Sequence, residues 1–184
     1  MDNDKTYTAF EGTALVDSGP LEKVLTVVKS RFDRDPGTLI LLFEDQTGRQ
    51  VDFDLSGPLT EVLKRALPQQ VRTGPGRPKL GVIAREVSLL PRHWEWLEQQ
   101  PSGASAALRR LVDEARKRDP GEQRVRLVIE ATGRFLSAMA GNLPGYEEVT
   151  RALYTRSRQR FDELIRDWPQ DIQLHVQHLV GEAF

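Results

Sequence analysis

The stretch "PQQVRTGPGRP", residues 68–78, holds three prolines and two glycines. Proline lacks an amide donor and fixes φ, and glycine costs entropy to order, so this stretch cannot continue a helix or sit inside a sheet. It reads as an extended arm. It divides the 184-residue chain into a block before it and a longer stretch after it, enough in all for one domain or two small ones. Charge follows the same division. Residues 1–71 hold 8 basic and 12 acidic side chains, residues 72–118 hold 10 and 5, and residues 119–184 hold 8 and 10. A central block of +5 thus lies between acidic flanks in a chain of net charge −1. A local basic block of this kind is an electrostatic footprint for a polyanion, although the whole chain is no polycation.

Before the arm, the pattern reads β-α-β-β-α over residues 1–67. "TYTAFEGTALV" is a strand bent at Gly12. In "SGPLEKVLTVVKSRF", Ser18 or Gly19 can cap a helix whose apolar face is Leu21, Val24, Leu25, Val28 and Phe32. "TLILLFEDQTGRQVDFDL" is a hairpin turning at Asp45-Gln46-Thr47-Gly48, with Val51, Phe53 and Leu55 on one face of its second arm. "SGPLTEVLKRALP" is a short helix stopped at Pro68.

After the arm, Ile83, Val87 and Leu89 can share one strand face, with Ala84, Glu86 and Ser88 on the other. Pro91 opens a helix carrying Trp94 and Leu97. "QQPSG" breaks it, and Ser105 can cap a second helix with Leu108, Leu111, Val112 and Ala115 on its apolar face. Asp119-Pro120-Gly121 ends that helix, and residues 120–184 read all-helical. Gly133, inside a long amphipathic helix, marks close approach by another helix. "GNLPG" is a firm break, and the last helix, with Ile172, Val176 and Leu179, is expected to pack back on this block. The fold class is α+β, with boundaries at 1–67, 68–80, 81–119 and 120–184.

Strand, helix, glycine turn and helix in about 35 residues after a basic arm resemble the ribbon-helix-helix unit. That resemblance implies a homodimer, because so short a β-α-α unit cannot bury its apolar face alone. Val87, Leu89, Trp94, Leu97, Leu108, Leu111 and Val112 would form the shared core. It also implies a ribbon in the major groove of duplex DNA and phosphate held at the amides that follow Ser105, with Ala106 the first of them. The outward strand positions are Ala84, Glu86 and Ser88. Glu86 is a poor neighbour for phosphate, although a carboxylate can accept from cytosine N4. Backbone contact through Arg77, Lys79, Arg85, Arg92, Arg109 and Arg110 is the firmer expectation. "GPGRPKL" resembles the core of an AT-hook with Pro75 in place of the leading arginine, which implies Arg77 in an A·T-rich minor groove and Lys79 on phosphate. The chain as a whole resembles the bacterial family catalogued as domain of unknown function 2239, on "GPGRPKLGVIAREVSLLPRHWEWLEQQPSGASAALRRLVDEARK" and "FLSAMAGNLPGYEEVTRALY". That resemblance implies relatedness and brings no activity.

Other chemistries have little support. With no cysteine, disulfides, thiolate metal sites and cysteine nucleophiles are excluded, as suits a reducing cytoplasm. His175 and His178 share an i, i+3 spacing but lack a third ligand, so they read as exposed helix histidines, and no metal or other cofactor is expected. Asp45, Asp52 and Asp54 lie around the hairpin, and Asp52 and Asp54, which alternate with Val51 and Phe53, read as solvent-facing acids. "GPGRPKLG" lacks the GK[ST] of a phosphate loop, and no GxSxG is present, so no enzyme is expected. No apolar run approaches the ~20 residues of a membrane span, and "MDNDKTYTAF" is acidic where a leader would be basic. The expected protein is a cytoplasmic, homodimeric DNA-binding regulator whose flanking blocks meet a ligand or a protein. The alternative is a protein-interaction or dimerisation module that binds no DNA.

Overall fold

Alternation dictates the first strand. Tyr7 and Ala9 point to one side, Thr8 and Phe10 to the other, and all four are buried. A strand buried on both faces needs a layer on each, and the computed structural model, which describes residues 5–67 and 85–181, supplies both. Strands β1 (Thr6–Glu11), β2 (Ala14–Pro20), β3 (Ile40–Glu44) and β4 (Arg49–Val51) form one antiparallel sheet in the order β2-β1-β3-β4. Where a single strand bent at Gly12 was expected, the chain reverses. Gly12 adopts φ 58°, a left-handed conformation that suits glycine, and β1 and β2 pair as a hairpin. The first block is therefore ββαββα.

Helices α1 (Leu21–Arg34) and α2 (Leu59–Ala66) cover one face of the sheet. Val24, Leu25 and Val28 of α1 cluster there with Tyr7, Ala9 and Leu42, and Val51, Phe53 and Leu55 pack against them as their alternation predicts. Neither Ser18 nor Gly19 caps α1. Both are paired within the sheet, and Pro20 is the N-cap. Its fixed φ suits the turn into the helix, and its missing amide costs nothing at an end where donors are unpaired anyway.

The other face carries Phe10 and Phe43, and it is covered by the C-terminal helices. These are α5 (Pro120–Met139), α6 (Tyr146–Tyr154), α7 (Arg158–Leu164) and α8 (Gln170–Val180). Their apolar residues join Phe10 and Phe43 in one cluster with Phe135, Leu136, Leu153, Phe161, Ile165, Ile172 and Val176. The Phe135 ring lies 5.0 Å from Phe43 and 5.5 Å from Phe10, at inclined angles that suit aromatic quadrupoles. The described parts of residues 1–69 and 124–184 form one compact unit, and those of 70–123 form a second. The sequence reading placed residues 1–67 and 120–184 in different domains. They come together because β1 and β3 are apolar on both faces, and only the distant helices can cover the second one.

Two glycines lie at contacts between these elements. Gly48, at φ 62°, sits so close to α5 that a Cβ would fall 1.8 Å from the Ala131 carbonyl oxygen. At Gly133 a Cβ would meet the Tyr154 hydroxyl at 2.9 Å, which is the far end of a side chain from α6 and not the close backbone approach that its position predicts. Arg134 donates to the Thr47 carbonyl at 2.8 Å beside the first contact. The "GNLPG" break is fastened by the Trp168 indole N–H, which donates to the Pro144 carbonyl at 2.8 Å.

In the second unit, α3 (Pro91–Glu98) and α4 (Gly103–Arg118) form a helical hairpin. Pro91 takes the first turn of α3 as expected. Helix α4 starts two residues before the expected cap, with Ser102 as N-cap at φ 75° and Ser105 inside the first turn. Glycine at 103 and the small alanine at 104 let the chain turn tightly into the helix.

Candidate functional site

The sequence-predicted site residues fall in the second unit or outside the described residues. Arg77, Lys79 and Ala84 lie outside them, as does the arm. Arg85, Glu86, Val87 and Ser88 are exposed and precede α3, in a segment that forms no strand between residues 85 and 90. A ribbon of paired strands would need a second chain, because among the described residues of this unit no strand is available to pair with it. Arg92 of α3 and Arg109 and Arg110 of α4 are exposed. Arg110 lies 3.8 Å from Glu114 on its own helix, a surface pair of the kind worth little. Ser105 is exposed and Ala106 half-buried. Both occupy the first turn of α4, so the helix start expected at Ser105 lies at Gly103, whose own amide donates to the Gln100 carbonyl at 3.2 Å.

The hairpin's apolar side chains outnumber its buried ones. Leu97 and Ala107 are its fully buried apolar residues, and Leu89 and Leu108 are half-buried. Val87, Leu90, Trp94, Trp96, Leu111 and Val112 are exposed, Val112 at 56%. Leu89, His93, Trp96, Leu97, Leu108 and Leu111 line an apolar groove of about 270 Å³.

A different arrangement occupies the first unit. β1, β2, the β3–β4 turn and α8 enclose a cleft of about 300 Å³, lined by Thr6, Thr8, Leu15, Ser18, Gly19, Asp45, Asp171, Leu174, His175 and His178. The sheet builds its polar wall. The Asp45 amide donates to the Thr6 carbonyl at 3.0 Å, and the Asp45 carboxylate accepts from the Thr8 hydroxyl at 2.7 Å. Across the cleft, Asp171 in the first turn of α8 accepts from the Leu15 amide at 2.8 Å and so ties helix to hairpin.

His175 is the least expected element. The i, i+3 reading placed it with His178 on an exposed helix surface. His178 is exposed, but His175 is only 9% exposed. Its ring lies 4.5 Å from Phe135 and 5.4 Å from Phe10, and its Nε2 has no hydrogen-bond partner. Burial among these rings lowers its pKa to about 4. The Asp45 charge opposes that shift, and His178 reinforces it. The imidazole is therefore neutral at pH 7. The signal was present in the sequence, because position 175 shares the apolar face of α8 with Ile172, Val176 and Leu179. Among the described residues, no group of three or more His, Asp or Glu could hold a metal, and no helix is long and apolar enough to cross a membrane.

No curated protein and no solved structure matches the chain. A family model matches residues 6–180, which takes in both units, the glycine-proline arm, the hairpin and the cleft. The chain belongs to the family described as an uncharacterized protein conserved in bacteria, DUF2239.

Proposed function

We infer that the protein is a homodimeric DNA-binding protein of regulatory or nucleoid type, non-enzymatic, in which two α3–α4 hairpins meet and the basic arm runs along the duplex. The observation that carries this reading is the hairpin's unpartnered apolar surface. Trp94, Trp96, Leu111 and Val112 are exposed on a two-helix unit whose fully buried apolar residues are Leu97 and Ala107. A second copy would cover that surface and offer the 85–90 segment a strand to pair with. Charge then favours DNA over a protein partner. Residues 72–118 hold ten basic against five acidic side chains, and Arg85, Arg92, Arg109 and Arg110 are all exposed. Arg77 and Lys79 belong to the same proposed footprint, with A·T-rich duplex as the arm's preferred target.

The test is a salt series of duplex titrations on the full chain. Binding should weaken steeply with salt, and Arg77→Ala should lower the slope by about one counterion. Absence of binding to any duplex at low salt, from a sample that is dimeric, would refute the DNA half of the reading. A second reading has its own observation. Glu86 is exposed in the segment that would face the groove, which suits a protein surface better than a phosphate backbone. In that reading the hairpin is an interaction module alone, and Glu86→Lys would leave partner-free dimers unable to bind DNA. If the first reading holds, the same change should tighten DNA binding.

A further inference from the structure

We draw no further inference here: the strongest candidate, the apolar groove between α3 and α4 lined by Leu89, His93, Trp96, Leu97, Leu108 and Leu111, belongs to the surface already assigned to the proposed second copy, and nothing in the structure shows another occupant that covers it.

Discussion

The sheet-centred unit and the α3–α4 hairpin solve the burial problem in opposite ways. In the first, Phe10, Phe43 and Phe135 are fully enclosed, because a four-stranded sheet is covered on both faces by helices from the two ends of the chain. In the second, two helices can cover one stripe of each other and no more, so Trp96 remains 47% exposed. Two layers can close a core on themselves only when each has a partner for its whole apolar surface. The difference teaches that apolar content alone does not indicate where a chain is self-sufficient. The sheet-centred unit encloses its aromatic cluster, and the hairpin leaves Trp94, Trp96, Leu111 and Val112 exposed.

The largest effect that should sharpen this contrast is in the aromatic cluster. Phe135→Ala removes the ring that touches both Phe10 and Phe43, and should cost about 3–5 kcal/mol of unfolding free energy in urea titrations. A loss under 1 kcal/mol would show that the two faces do not share a core. Next is the acid response of His175. Its folded pKa, about 4, lies below the unfolded value near 6.5, so the unfolded chain binds the extra proton first. Its contribution is present above the unfolded pKa and is lost as pH falls from about 6.5 to about 4. The loss is on the order of 3 kcal/mol at most, a figure that already contains the opposing Asp45 charge and the reinforcing His178, with Asp171 also lining the cleft. A His175→Leu variant followed across the same range should show a flatter stability curve. An unchanged slope would place the titration elsewhere.

Gly48→Ala should follow, at roughly 1–3 kcal/mol, since the new methyl meets the Ala131 backbone and the residue keeps a positive φ. Thermal unfolding would read it, and a neutral result would mean that the β3–β4 turn is free of α5. The smallest effect on stability is expected on the other side of the comparison. Leu111→Lys, at an exposed hairpin position, should change unfolding of the sheet-centred unit by less than about 0.5 kcal/mol. It should nevertheless weaken self-association at least tenfold, about 1.4 kcal/mol, in a dilution series.

Local patterns were legible and distant ones were not. The apolar face of α1 followed from its 3.6-residue spacing, and Val24, Leu25 and Val28 are buried as that spacing requires. Pro91 marked the start of α3, and the alternation of Val51, Phe53 and Leu55 marked the face that meets α1 and α2. The β1–β2 hairpin was missed because one glycine in a run of strand-forming residues fits a bend as well as a reversal. The joining of the two ends of the chain was missed for a deeper reason. A continuously apolar strand tells that both of its faces are covered but not by which residues, and the Phe43–Phe135 contact spans 92 positions of sequence. The cleft inherits that non-locality. In the sequence Asp45 reads as a turn acid and His175 as a surface histidine, and only the sandwich brings them to one cleft.

The most direct test of the proposed homodimer is the solution mass of the full chain by sedimentation equilibrium at low micromolar concentration. A homodimer closed through α3 and α4 predicts about twice the 20.9 kDa chain mass, falling toward 20.9 kDa in Leu111→Lys. A single species at 20.9 kDa for the unaltered chain would contradict it.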